Sequence, residues 1–300
     1  MKLNALTPEE EKIIVGKGTE APFSGEYEKF NEEGIYVCRR CEAPLYRSED
    51  KFDAHCGWPS FDAEILGAVK NTPDADGMRT EISCIRCGAH LGHVFTGEKM
   101  TPKDVRYCVN SVSMKFVQKK DIGGTTRTAY FGGGCFWCTE ATFKMIRGVI
   151  SVIPGYAGGK KENPTYEEVS TGTTEHAETV KVEYDSVVIS YEALLEVFFN
   201  VHDPTSLNQQ GGDVGTQYRS IIFYEKDEEK DITERIIRTL EEEKNFDKPI
   251  MTEVKSLQKF YEAEEYHRDY FLKHPEKAYC QAVIAPKVSK IAEHFEKYLK

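Results

Sequence analysis

This sequence predicts two domains of different architecture, a mainly β half followed by an α+β half, and three observations carry that reading. Its 300 residues are about twice an ordinary single-domain length. Six of the nine cysteines (Cys38, Cys41, Cys56, Cys84, Cys87 and Cys108) fall in the first 120 residues, and only Cys135, Cys138 and Cys280 follow. Charge divides at the same place, with 17 basic and 19 acidic residues through Lys120 against 22 and 31 beyond it.

Hydrophobic residues make up 40% of the chain, with 16 Tyr and 16 Phe, enough to build cores and to exclude a disordered chain. The net charge of −11 leaves no basic excess with which to release counterions. Neither nucleic acid nor an anionic membrane is therefore an expected partner. No run approaches the roughly 18 apolar residues of a spanning helix. The start, residues 1–15, is Glu-rich where a signal peptide would be basic and then apolar, so a cytoplasmic protein is expected. There, an odd number of cysteines points to metal or redox chemistry rather than a disulfide framework.

Thr7-Pro8-Glu9-Glu10 supplies an N-cap, a proline at the first helical position and a glutamate at the third. This capping box predicts a short helix to about Val15. Helical periodicity then fades. Residues 34–38 and 111–117, the latter with Val112, Met114 and Phe116 on one face, alternate with Gly, Pro and Asp turns and read as antiparallel β. The polar stretch 119–126, containing Gly123-Gly124, is the expected linker between domains at 1–118 and 127–300. In the second domain, residues 179–184 and 219–224 read as strands. Residues 191–201 gather Leu194, Leu195, Phe198 and Phe199 on one helical face. Residues 225–246, with Ile232, Ile236 and Leu240, and 286–299, with Val288, Ile291 and Phe295, do the same. The charged run 226–231 is a solvated helix start.

Cys38-x-x-Cys41 and Cys84-x-x-Cys87 are two knuckles 42 residues apart. A CxxC turn sets two sulfurs on one side of a tight loop, and two such loops complete the tetrahedral S₄ shell that Zn²⁺ prefers. With all four ligands from protein, one structural zinc per chain is expected; two independent redox dithiols are the alternative. Cys56, in Ala54-His55-Cys56-Gly57-Trp58-Pro59-Ser60-Phe61, and Cys108, in Arg106-Tyr107-Cys108-Val109-Asn110-Ser111, remain. Arg106 can stabilise a thiolate, and His90 and His93 of His90-Leu91-Gly92-His93-Val94-Phe95 offer two proton donors. Buried structural thiols are the plain alternative, and histidines that are structural or serve as additional metal ligands.

These motifs, in this order over roughly residues 5–118, closely resemble methionine sulfoxide reductases of type B. The resemblance implies a fold of two antiparallel sheets with a structural zinc. It places Cys108 as nucleophile and Cys56 as resolving cysteine. It sets Trp58 against the substrate methyl group, with His90, His93, Arg106 and Asn110 lining the site. Where the family often continues after His-Val-Phe with acidic residues and Gly, this chain has Thr96, Gly97 and Glu98.

In the second half, Tyr130-Phe131-Gly132-Gly133-Gly134-Cys135-Phe136-Trp137-Cys138 reads as strand, glycine turn and helix, with Cys135 at the helix N-terminus. Free N–H groups there favour a thiolate. A phosphate-binding turn is set aside because neither GxGxxG nor a Walker lysine is present. His176-Ala177-Glu178 opens the strand at 179–184, Asn163-Pro164-Thr165-Tyr166 is a turn, and residues 210–220 form a glycine-rich loop entering a strand. Their convergence does not follow from spacing.

GGGCFWC, NPTYEEVSTG, HAE and GTQYRS together resemble methionine sulfoxide reductases of type A, over about residues 127–285. The resemblance implies a mixed sheet with helices, Cys135 as nucleophile and Glu178 as acid at the sulfoxide oxygen. Tyr166, Asp213 and Tyr218 bind or polarise that oxygen, and Phe136 with Trp137 holds the methyl group. This chain has Cys138 where the family often has Gly, and Gly212 and Val214 where the family commonly flanks the Asp with Asn and Arg. Cys280 and Cys138 are both candidates to resolve Cys135; Cys280 is favoured, in a segment expected to be mobile where the chain leaves a helix after His274-Pro275.

The expected function is therefore thiol-dependent reduction of methionine sulfoxide, free or in proteins. The first half takes the R epimer and the second the S epimer, each leaving an intramolecular disulfide that thioredoxin reduces, with no organic cofactor. A zinc-ribbon scaffold with inert cysteines, or a general dithiol oxidoreductase built on Cys135-x-x-Cys138, are the competing readings.

Overall fold

The computed structural model describes residues 3–74 and 76–300. The chain divides into two compact units, Met1–Thr125 with Ser186–Glu192, and Thr126–Asp185 with Ala193–Lys300.

The first unit opens with helix α1 (Pro8–Ile14), whose capping box forms as expected: Thr7 Oγ1 accepts from Glu10 N, and the Glu10 carboxylate accepts from Thr7 N. Among the described residues nine strands follow. They are β1 (Gly34–Cys38), β2 (Pro44–Arg47), β3 (Lys51–Phe52), β4 (Ser60–Phe61), β5 (Val69–Pro73), β6 (Thr80–Cys84), β7 (His90–Thr96), β8 (Val105–Val109) and β9 (Met114–Gln118). They form two antiparallel sheets, one ordered β2-β1-β9 and the other β3-β4-β8-β7-β6-β5, as the sequence predicts. Tyr36, Leu45, Tyr46, Phe61, Ile82 and Leu91 are fully buried in the core. Tyr46 stacks on Phe61 with ring centroids 4.4 Å apart. The strand expected over 111–117 is a correction: Ser111–Ser113 make a 3₁₀ turn, and pairing starts at Met114. The turn exists because a carboxylate from residue 20 takes its first N–H groups, a contact 91 residues distant in sequence.

The second unit is built on a six-stranded mixed sheet. Its strands are β10 (Thr126–Gly133), β11 (Val149–Ala157), β12 (Ala177–Asp185), β15 (Ser220–Tyr224), β16 (Glu253–Ser256) and β17 (Phe260–Glu262); a small hairpin pairs β13 (Gln209–Gln210) with β14 (Asp213–Val214). The order is β16-β15-β10-β12-β11-β17, with β15 and β16 parallel and the other pairs antiparallel. Its helices are α2 (Phe136–Lys144), α3 (Tyr166–Ser170), α4 (Tyr191–Val201), α5 (Asp227–Glu242), α6 (Tyr270–Lys273) and α7 (Ala285–His294). Leu194, Leu195, Phe198 and Phe199 of α4 are buried, the face that the periodicity marks. Phe131 of β10 lies between Phe143 of α2 and Phe198 of α4, each at 5.1 Å. Helices α5 and α7 are shorter than the periodic runs that predict them. Among the described residues no helix is long and apolar enough to cross a membrane.

Candidate active sites and metal centre

The two knuckles of the first unit have the same local build. Cys38 ends β1 and Cys84 ends β6. Each carbonyl accepts a bond four residues on, from Glu42 N and from Gly88 N, both at 2.8 Å. Glu42 and Gly88 both take the left-handed conformation, with φ of 60° and 70°. The four sulfurs all lie within 4.8 Å of one another, and the Cys38–Cys87 and Cys41–Cys84 pairs are at 3.6 Å. A tetrahedral ion with bonds near 2.3 Å needs sulfur edges of about 3.8 Å, so the donor set fits zinc.

The same unit holds a second pair of thiols, Cys56 and Cys108. Cross-strand partners share a face of a sheet, and Cys108 of β8 is registered with Ser60 of β4 on one side and His93 of β7 on the other. The Cys56 loop brings its sulfur to 4.0 Å from that of Cys108. It also lies 3.5 Å from both Ser60 Oγ and Trp58 O. Hydrogen bonding to Cys108 is the main reason the Cys56 thiol falls to about 5. The same contact, with burial, pushes Cys108 up. Arg106 pulls both toward the anion. Its guanidinium is held by Glu98 through bonds of 2.7 and 2.8 Å and lies 4.4 Å above the Phe95 ring.

The histidines are each paired with a carboxylate: His90 Nδ1 is 2.8 Å from Glu81 Oε1, and His93 Nε2 is 2.6 Å from Asp74 Oδ2. Burial depresses His90. Trp58 is half-buried, its Nε1–H donating to the Glu20 carbonyl at 3.1 Å, and Asn110 is buried.

In the second unit, Gly134 takes φ +90°, and a Cβ there would meet the Gln210 side chain at 2.6 Å. That turn sets Cys135 as the N-cap of α2, where the glycine pattern predicts it. Burial opposes the thiolate that the helix start favours. Cys135 is only 5% exposed, and burial outweighs the helix start and pushes its thiol up, while the bond from Cys135 lowers Cys138. Glu178 is 2% exposed. It accepts Phe136 N at 3.0 Å, and burial, reinforced by the Cys135 charge, holds its carboxyl well above the ordinary range. Burial likewise raises Tyr166, to about 12, and Tyr218.

Phe136, Trp137 and Tyr166 form an aromatic group around His267: Tyr166 lies 4.5 Å from the His267 ring, and Trp137 Nε1–H donates to His267 Nδ1 at 3.1 Å. Trp137 also stacks on Tyr270 at 3.7 Å. Asp213 accepts from the Tyr279 hydroxyl at 2.7 Å. Cys135, Cys138 and Cys280 sit in one apolar cluster with Ile284. Cys280 is fully buried and heads a π-helical turn (Cys280–Ile284) that runs into α7; the chain does leave helix α6 at His274, but the cysteine is already in the next helical turn.

The structure thus brings the sequence candidates of each unit together and adds residues that sequence reasoning missed. Glu81, Asp74, Glu98 and Glu20 orient the first site; Tyr156, Glu264, His267, Tyr270 and Tyr279 build the second. Tyr156 OH and Tyr166 N both donate to Glu264, at 2.9 and 3.0 Å. Only Tyr279, next to Cys280, and Glu98, beside a family motif, carried a positional signal.

Residues 127–299 match the family described as peptide methionine sulfoxide reductase, and residues 6–118 match the SelR domain. The peptide methionine sulfoxide reductase MsrA of Saccharolobus solfataricus is 55% identical over 172 residues, covering 57% of this chain and 96% of that protein. That of Thermus thermophilus is 53% identical over 172 residues, covering 57% and 97%. Among solved structures, reduced Mxr1 from Saccharomyces cerevisiae is 34% identical, with a TM-score of 0.48 over 53% of this chain and 91% of that one. Methionine sulfoxide reductase A of Corynebacterium diphtheriae is 35% identical, with a TM-score of 0.46 over 52% and 78%.

Proposed function

Because the chain belongs to the peptide methionine sulfoxide reductase family through residues 127–299 and carries a SelR domain ahead of it, we propose that it reduces both epimers of methionine sulfoxide at two separate cysteine sites. Residues 1–118 act on the R epimer and 127–300 on the S epimer, joined by 119–126. The observation that supports this most is that each unit holds a candidate nucleophile close to a second thiol, Cys108 with Cys56 at 4.0 Å and Cys135 packed with Cys138 and Cys280.

The chemistry is the same in both sites. A hydrogen-bonded or protonated sulfoxide oxygen makes the sulfur electrophilic, and the cysteine sulfur attacks it. The S–O bond to methionine breaks, oxygen leaves on the cysteine as sulfenic acid, and methionine departs reduced. A second thiol attacks the sulfenic sulfur, a disulfide forms and water leaves; an external dithiol then takes the oxidation. Thioredoxin is the partner with that chemistry. Such a cycle suits the cytoplasm, where thiols stay reduced.

In the first unit Arg106, locked by Glu98, favours the thiolate. His93 and His90, each backed by a carboxylate, supply protons to the oxygen, and Trp58 with Asn110 seats the substrate. In the second, Glu178 gives the proton, Tyr166, Tyr218 and Asp213 polarise the oxygen, and Phe136 with Trp137 encloses the methyl group. Incubation with a dithiol and a mixture of both epimers of a methionine sulfoxide tests the proposal. Both should be consumed to methionine, and persistence of either removes the function from the corresponding unit.

Glu178 sets a pH dependence. Its carboxyl is raised above the ordinary carboxylate value by burial, so it keeps its proton to higher pH than an exposed carboxylate and is lost as an acid when the pH climbs through its raised value. S-epimer reduction should therefore fall on the alkaline side. Glu178→Gln should slow the first turnover by about 10²–10⁴-fold and flatten that limb. An unchanged alkaline limb in the variant would assign it to another group.

Cys38, Cys41, Cys84 and Cys87 would hold one structural zinc, which clamps β1 to β6 and takes no part in the chemistry. The expected content is one zinc per chain by elemental analysis. Cys84→Ser should lose the metal, lower the melting temperature of the first unit and leave S-epimer reduction working. Full R-epimer activity in metal-free protein defeats this assignment.

A further inference from the structure

Residues 21–24 lie exposed on the first unit, yet the residue before them, Glu20, is only 8% exposed. Every polar group of Glu20 is engaged across the fold. Its N–H donates to Asn110 Oδ1 at 3.0 Å, and its carbonyl accepts the Trp58 indole N–H at 3.1 Å. Its carboxylate accepts Ser111 N at 2.6 Å and Val112 N at 3.3 Å. Three residues on, Phe23 N donates to Gly57 O at 2.7 Å, between Cys56 and Trp58. The space around the carboxylate is tight: a Cβ on Gly25 would overlap Ser111 Oγ and come within 2.7 Å of Glu20 Oε1.

One residue thus joins the two walls of the site. The Cys56–Trp58 loop and the end of β8 are already joined beside Cys108, where Val109 N donates to Pro59 O at 3.0 Å and Ser60 pairs with Cys108; Glu20 adds a link between the Trp58 ring and Asn110 themselves. The indole has a single donor, so its bond to Glu20 fixes the ring plane at one end. The Asn110 amide is held at both ends, its Nδ2 donating to Leu91 O at 3.1 Å. We infer that Glu20 is a positioning residue of the R-epimer site, its carboxylate anchoring the backbone that sets Trp58 and Asn110 against Cys108. This rests on the reading above that Trp58 and Asn110 meet the substrate. Removing the carboxylate frees the segment, and both groups drift from the sulfoxide.

The test uses the full chain carrying Glu20→Ala or Glu20→Gln, with S-epimer reduction by the same molecules as an internal measure of concentration and integrity. Substrates are R sulfoxides bearing an S-methyl or an S-ethyl group. Glu20→Ala should lower kcat/KM for the methyl substrate by at least about tenfold, the scale expected of a misplaced contact, and should erode the preference for methyl over ethyl. Glu20→Gln keeps one oxygen for Ser111 N and should fall between wild type and Glu20→Ala on both measures. If Glu20→Ala loses zinc or fails to fold, Glu20→Gln decides: a reduced methyl preference supports the inference and an unchanged one overturns it. Trp58→Phe separates the two levels of the argument. If it too leaves the methyl preference intact, the substrate role of Trp58 fails and the inference with it. If it erodes the preference while both Glu20 variants keep it, only the inference fails.

Discussion

Cys108→Ser should abolish reduction of the R epimer while leaving the S epimer at full rate, and Cys135→Ser should do the reverse. A serine hydroxyl matches the thiol in shape but ionises far less readily and cannot carry the sulfenic oxygen through to a disulfide, so each loss should be at least about 10³-fold. The independence of the two losses is the discriminating part. Cys108 sits on β8 between Ser60 and His93, and its second thiol is Cys56 at 4.0 Å. Cys135 caps α2 and clusters with Cys138 and Cys280. Neither chemistry borrows a named group from the other. Separation of the epimers by chiral chromatography, with methionine measured per turnover, reads both activities from one sample. Retention of both activities in either variant defeats the two-site assignment. Loss of both in a folded variant would place a single nucleophile in charge of both epimers.

Thioredoxin-dependent turnover of the S epimer should collapse in Cys280→Ser and survive in Cys138→Ser, with the first turnover intact in both. The three sulfurs belong to one buried cluster, so proximity alone does not choose between them. Cys138 lies within the first turn of α2, where Cys138 N and Thr139 N both donate to the Cys135 carbonyl, at 3.1 and 3.3 Å. A Cys135–Cys138 bridge has to close inside that constrained turn, beside the bulky Phe136 and Trp137. Cys280 reaches the site from the start of α7, and its π-helical turn is a less regular segment than α2. Its movement requires release of the Tyr279–Asp213 bond and a shift of the buried π-helical turn that it heads. Sulfur–sulfur bonding at about 2.05 Å demands such a shift from either partner. Methionine released in the absence of reductant counts the first turnover, and steady-state consumption of the reductant counts the rest. Peptide mapping of the oxidised protein that finds only a Cys135–Cys138 bridge, with turnover surviving in Cys280→Ser, would assign resolution to Cys138.

Local patterns account for a large part of this protein. The capping box of α1, the two CxxC knuckles, the apolar face of α4 and the glycine turn that leaves Cys135 at a helix start are all written in adjacent residues, because caps, turns and amphipathic faces depend on spacing of a few positions. So are the motifs that place two cysteine sites in two unlike halves. Tertiary packing decided the rest. Ser111–Ser113 read as strand but curl into a turn, since the Glu20 carboxylate, 91 residues from Ser111, takes the Ser111 and Val112 N–H groups. Cys135 stands where a helix start would favour a thiolate, yet burial among apolar side chains pushes its thiol up. Glu178 looks like an ordinary strand carboxylate until desolvation raises its carboxyl above the ordinary range. The carboxylates behind His90 and His93, and the His267 partner of Trp137, come from segments 9, 19 and 130 residues away. Residue type and spacing determine which groups are available and on which element they start. Desolvation and long-range hydrogen bonding exist only once the chain has closed on itself, so the protonation and orientation of those groups belong to the tertiary structure alone.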